Sequence, residues 1–166
     1  MTEQTELQSG DLLPKSLEEL REWLDSSKDD LEENEVVVID SQGYENIMEL
    51  GEFESDGHSI FKAGQCLGFA VALAEHFGTR TLAVSTDRPG VDGELMVRHC
   101  YALDTEGVYW DISGSWSRSE IYFGEGGGVQ DMSSAEAERI VAPHLPPQHM
   151  EYARSVVEPF LDWQSE

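Results

Sequence analysis

The sequence predicts an α+β domain in which a helix bearing a cysteine packs on a mostly antiparallel sheet, with further helices flanking it. Three observations carry this. An apolar stripe at helical spacing runs through "CLGFAVALAEHF", residues 66–77. Three β-rich runs follow, "TRTLAVST", "LMVRHCYALD" and "VYWDISG". Helical periodicity then returns in "SSAEAERIV" and "PPQHMEYARSVVEPFLDW". Segregated strands and helices of this kind define α+β rather than alternating architecture.

Residues 1–13 are polar and aperiodic and predict a flexible acidic tail, leaving 14–166 as a single domain. Ser16 and Glu19 form a capping box ahead of a stripe of Leu17, Leu20 and Leu24 with Trp23 beside it, predicting a helix over 17–26. "DSSKDDLEEN" reads as a charged loop, and "EVVVID" as a strand too continuously apolar to be half-exposed. Residues 41–64 read as irregular. In the central helix Cys66, Ala70, Leu73 and Phe77 share one stripe, Gly68 and Glu75 lie opposite, and Gly78 is placed to stop it. "TRTLAVST" is a strand and "DRPGVDGE" a turn. The next two runs are separated by Thr105, Glu106 and Gly107, which fits a three-residue hairpin loop closed by a glycine bulge. Asp104 then opposes Val108, Tyr101 opposes Asp111, and His99 opposes Ser113. His99 and Asp111 become diagonal neighbours on one face, which a two- or four-residue loop would forbid. "SGSWSRSEIYFGEGGGVQDM" reads as a Gly/Ser loop with a short strand at 121–123. Ser133 and Glu136 form a second capping box, for a helix ending near Pro143. A last helix begins at Pro146 and Pro147, with Met150, Ala153, Val157 and Phe160 as its stripe and Pro159 kinking or shortening its end.

Charge sets the chain apart. There are 34 acidic and 10 basic residues, a net charge of −24, and the only lysines are Lys15, Lys28 and Lys62. The acids are spread along the chain. A surface of one sign repels itself, and salt screens that repulsion over a Debye length of about 3 Å at 1 M. The composition therefore predicts a protein of a salt-rich host. It disfavours direct nucleic-acid binding; an acidic decoy for a nucleic-acid-binding partner would need phosphate-like spacing of acids, which is not visible. No apolar run approaches the ~20 residues of a membrane span, and the first residues lack a secretory pattern. Two cysteines are too few for a disulfide framework. A reducing cytoplasmic compartment is the expectation.

Three residues stand where chemistry can use them. Cys66 opens a helix, whose N-terminal N–H groups and partial positive charge stabilise a thiolate and a developing oxyanion. His99, in a strand, can take the thiol proton and return it to a leaving group. Asp111, in the next strand, can fix the imidazole tautomer and stabilise its charged form. A helix packed on the face carrying His99 and Asp111 would complete the set.

"GQCLGFAVALAEHFG" followed by "RHCYALDTEGVYWDISG" resembles the core of transglutaminase-like and related papain-like cysteine enzymes, over about residues 64–114. In that family a G-x-C motif opens a helix, a histidine sits in a strand, and an aspartate follows on its neighbour. The resemblance implies Cys66 as nucleophile, His99 as base, Asp111 as orienting acid, and a thioester intermediate in a peptidase- or amidase-like reaction on a peptide or other acyl substrate. No cofactor or metal is implied. Gln65 is the nearest candidate for completing the oxyanion hole, with Gln42 and His58 more remote, and Trp116 is a candidate cleft lining.

Other readings of the same residues stand beside this one. Cys66 alone reads as a small core residue, His99 as a satisfied structural histidine, and Asp111 as a strand-end cap. Cys66, His99, Asp111 and His58 are permitted zinc ligands, but no close ligand pair is present. Cys100 adjoins His99, and alternation points it to the opposite face, away from Cys66. His76 lies off the apolar stripe and reads as solvated. "GEGGGV" lacks the lysine and the strand-loop-helix context of a phosphate loop. The alternatives to an enzyme are a catalytically inactive member of the fold, serving as a structural or binding protein encoded by a virus or mobile element, and the acidic decoy.

Overall fold

The computed structural model describes residues 31–54, 58–62, 64–87 and 96–165. The expected tail at 1–13, the helix at 17–26 and most of the turn after Asp87 lie outside the described residues. What is described is α+β, with a two-stranded and a five-stranded sheet around a central helix.

Strand β1 (Glu35–Ile39) is the apolar strand the sequence predicts. It pairs antiparallel with β2 (Glu45–Glu49), in a stretch expected to be irregular. β2 is hard to see because polar residues dominate it. The hairpin is specified instead by its turn. Asp40 Oδ1 accepts from the Gln42 and Tyr44 N–H groups at 2.9 and 3.0 Å, and Gly43 takes φ 88°.

Helix α1 (Cys66–Phe77) has the predicted bounds, and Gly78 ends it in the left-handed conformation. Its burial differs from the single stripe expected. Every residue from Cys66 to Ala74 is buried, Gly68 included. An all-round buried helix is a core helix with a partner on each side. The sheet covers one side. The other is covered by α2 (Ser134–Val141) and α3 (Met150–Gln164).

Strands β3 (Thr81–Thr86), β4 (Val97–Leu103), β5 (Tyr109–Asp111), β6 (Gly114–Trp116) and β7 (Gly128–Ser133) form an antiparallel sheet in the order β6-β5-β4-β3-β7. The β4–β5 register is the one the three-residue loop predicts. Ala102 pairs with Trp110, Leu103 pairs with Tyr109, and Asp104 N–H donates to Val108 O at 2.9 Å. Two strands fall inside the expected Gly/Ser loop. β6 follows β5 through a tight turn, and β7 pairs along the whole of β3. Residues 121–123, expected to be a strand, are not one. Ladder partners, not alternation, decide these short polar segments. The β6–β7 connection lies close to the end of β3. A side chain at Gly127 would meet Thr86 O at 2.0 Å, so the close approach requires glycine.

Ser133 caps α2, its Oγ accepting from Glu136 N–H at 3.1 Å. α3 begins three residues after Pro147, not at the prolines, with His149 as its cap through Nδ1. It also runs past Pro159 to Gln164. Phe160, just beyond that proline, is fully buried against Phe53, Phe69 and Trp110. That packing holds the helix together where the proline removes a hydrogen bond.

Candidate active site

Gly64, two residues before Cys66, has φ 81°, and a Cβ there would lie 2.6 Å from the backbone nitrogen of Ser41. The G-x-C spacing therefore serves a close backbone approach at the entrance to α1. Two glutamines fix that entrance. Gln65 Nε2 donates to Ile39 O at 2.6 Å and Pro147 O at 2.8 Å, and its Oε1 accepts from His149 N–H at 3.0 Å. Gln148 accepts from Gly68 N–H at 2.8 Å and donates to the carbonyls of Gly64 and Pro146. The side-chain amide of Gln65 is thus a clamp between β1 and the segment before α3. Its hydrogens are committed to carbonyls and do not serve as oxyanion donors in this arrangement. The clamp by Gln148 leaves no trace in the sequence, because Gly64 and Gly68, which it holds, lie 80 or more positions away.

His99 and Asp111 meet as the register predicts: His99 Nε2–H donates to Asp111 Oδ2 at 2.8 Å. Asp111 Oδ1 accepts from Ser113 N–H at 2.9 Å and from Trp116 Nε1–H at 2.8 Å. Trp116 therefore holds the carboxylate that holds the imidazole. The His99 ring stands edge-on to Tyr101, with centroids 4.8 Å apart. The face bearing these rings is capped by the β6–β7 connection. Ser85, the cross-strand partner of His99, donates to Tyr122 O, and the Arg98 guanidinium lies 4.1 Å over the Tyr122 ring.

The placement of Cys66 corrects two expectations. The body of α1 packs on the opposite face of β4, the one carrying Cys100 and Ala102. Cys100 accordingly faces the helix and contacts Cys66 instead of lying away from it. Alternation is obeyed; the side on which the helix packs was wrongly expected. The ionisation of the thiol still responds to His99. The β4–β5 ladder stops at Ala102–Trp110, short of Cys100 and His99, and the β3–β4 register shifts between Ser85 and Thr86. A bulge adds local twist and re-aims nearby side chains. At the end of this ladder the thiol interacts with residues from both sides of β4.

The electrostatics follow from those contacts. Hydrogen bonding from the Cys100 thiol is the largest influence on Cys66. Burial opposes it, and the hydrogen bond and charge of His99 add to it, leaving the Cys66 thiol well below its ordinary range. The same contact and burial push Cys100 well above its own. Burial alone would lower His99, but hydrogen bonds with Asp111 and Cys66 and the charges of both raise it to about 9. The favoured state is a Cys66 thiolate beside a His99 imidazolium, with Cys100 as a neutral donor. With Nε2 bound to Asp111, Nδ1 is the ring nitrogen left for the thiol.

The site is closed: Cys66 is 4% exposed, and the side chains of His99 and Asp111 are 12% and 9% exposed. A cavity of about 310 Å³ borders the first turn of α1 through Leu67, Gly68, Gln148 and Met150, without Cys66 in its lining. The remaining candidates have structural partners. His58 is buried, stacked near Phe61, and bound to the Tyr152 hydroxyl at 2.6 Å and to the Glu54 backbone. Gln42 belongs to the β1–β2 turn, and His76 is exposed. Among the described residues no three His, Cys, Asp or Glu side chains gather as a metal site. None of their helices is long and apolar enough to cross a membrane.

Compared with known proteins, the chain matches no family, no curated protein and no solved structure.

Proposed function

We propose that the protein is a cysteine-dependent hydrolase or acyltransferase with a transglutaminase-like or papain-like core. The carrying observation is the His99–Asp111 pair: His99 is bound through Nε2 to an Asp111 held by two further donors, and the ionisation of Cys66, at the start of α1, responds to His99. In this reading the Cys66 thiolate attacks the carbonyl carbon of a peptide or other acyl substrate. The backbone N–H at the start of α1 steadies the oxyanion. His99 protonates the departing amine, and a thioester remains on Cys66. Water or another acceptor then attacks the thioester, losing its proton to His99 and returning the thiolate. The acidic surface supports a salt-rich setting, and two free cysteines suit a reducing one.

One observation favours a second reading. The thiol is almost wholly buried, as it would be in an inactive relative that keeps the core for a structural or binding role. Alkylation separates the two. Iodoacetamide at mildly acidic pH and high salt should label wild-type Cys66 about tenfold or more faster than His99→Ala, because the mutant thiol is largely protonated there. Equal, slow labelling of both proteins sinks the enzyme reading and leaves the binding module.

A further inference from the structure

Cys100 makes and breaks no bond in the acyl chemistry above, yet its thiol is the largest influence on the ionisation of Cys66. Both cysteines are free and buried. They belong to one core cluster, on facing elements of the helix–sheet interface, and each shifts the ionisation of the other. A small apolar residue would fill the same space without placing a second sulfur behind a nucleophile. We propose that Cys66 and Cys100 form a hydroperoxide-reactive modification site, in which Cys66 is oxidised first and Cys100 resolves it as an intramolecular disulfide that removes the nucleophile.

The co-reactant is hydrogen peroxide or a small alkyl hydroperoxide; burial of both sulfurs excludes bulky disulfide oxidants. The Cys66 thiolate attacks the terminal peroxide oxygen. An S–O bond forms, the O–O bond breaks, and the leaving hydroxide or alkoxide takes a proton from His99. Cys66 is then a sulfenic acid. The Cys100 sulfur attacks the Cys66 sulfur as its proton passes to the departing hydroxyl; the S–S bond forms, the S–O bond breaks, and water leaves. In sum, two thiols and one hydroperoxide give one disulfide, one water and one water or alcohol. Two electrons pass from the sulfurs to the peroxide. The disulfide removes the Cys100 donor together with the thiolate, so the oxidised protein is silent in acyl chemistry until a dithiol reduces it.

The proposal rests on Cys66 being the activated thiol, but not on any acyl turnover. The experiment treats the reduced full-length chain with stoichiometric hydrogen peroxide in the presence of dimedone, followed by intact mass and non-reducing peptide mapping. Wild type should lose two hydrogens, show a Cys66–Cys100 cross-linked peptide, and recover both thiols with dithiothreitol. Cys100→Ala and Cys100→Ser should instead accumulate the dimedone adduct at Cys66. Equal dimedone trapping in wild type and the Cys100 variants, two free thiols after oxidation, or only intermolecular disulfides would each overturn the proposal. The iodoacetamide comparison on reduced protein reports the acyl reading separately. Rapid alkylation without the cross-link defeats this proposal alone, and the cross-link without acyl-enzyme formation defeats only the acyl reading.

Discussion

Asp111 shows how much of the candidate site is set by single residues. One carboxylate accepts from an imidazole, a backbone amide and an indole, so neither of its oxygens is left to float. This rigidity gives the imidazolium a fixed partner, and the thiolate a second one. The pair has a distinctive signature in stability. For His99 the folded pKa is raised, so its contribution is complete below the ordinary value of 6.5 and is lost as pH rises through about 9. For Cys66 the folded pKa is lowered. Its contribution is complete above the ordinary thiol value of 9.0 and is lost as pH falls through the folded pKa. As pH rises from about 6.5 to 9 the falling His99 contribution is opposed by a rising Cys66 contribution. Cys66→Ala removes one side of that balance. Its unfolding free energy, measured by urea titration, should decline relative to wild type as pH rises across this window. A pH-independent difference between the two proteins would show that no ion pair forms.

At the scale of elements, the entrance to α1 is the most tightly specified place in the fold. Gln148→Leu strips partners from Gly68 N–H and the Gly64 carbonyl at once. Leaving a buried polar group unsatisfied costs about 1–3 kcal/mol. Urea unfolding should register a loss of that size, and an unchanged midpoint would show that the clamp is dispensable. α1, β3, β4, β5 and the capping box at Ser133 are legible in the sequence because each carries a strong local signal: periodicity, a stop glycine, an odd hairpin loop, a cap. The hairpin loop also made the His99–Asp111 contact legible. β2, β6 and β7 are not, since they are short or polar and owe their conformation to the strand beside them. Nor could the sequence say which face of β4 the helix would cover. Alternation assigns His99 and Cys100 to opposite faces, but the choice between them rests on the summed burial of Val84, Cys100, Ala102 and Ile112 against α1. Alternation alone therefore puts Cys100 on the wrong side, and nothing local in the sequence shows that both amide hydrogens of Gln65 are spent on carbonyls.

For the molecule as a whole, charge is the governing quantity. The described arginines at 98, 118, 139 and 154 are each paired with an acid in exposed ion pairs, which leaves a large excess of carboxylates. Crowding is visible locally: the hydrogen bond and charge of Glu52 hold Glu49 above its usual range. Exposed pairs contribute little, so unbalanced repulsion prevails in dilute buffer. The melting temperature should rise by several degrees between dilute buffer and molar potassium chloride. Indifference to salt over that range would sink the inference that the surface is adapted to brine.

The two-glutamine clamp has a consequence for the birth of the molecule. Gln65 and Gln148 tie the start of α1 to residues 80 or more positions later, so a nascent chain that has exposed Cys66, His99 and Asp111 still lacks the segment that seats the cysteine. Assembly of the candidate site is deferred until the segment around Pro147 and Gln148 has left the ribosome. Ribosome-bound chains arrested before Pro146 should alkylate at Cys66 no faster than an unfolded thiol, and chains released at full length should alkylate rapidly. Synthesis itself would then keep the thiol unactivated until the segment that seats it has emerged.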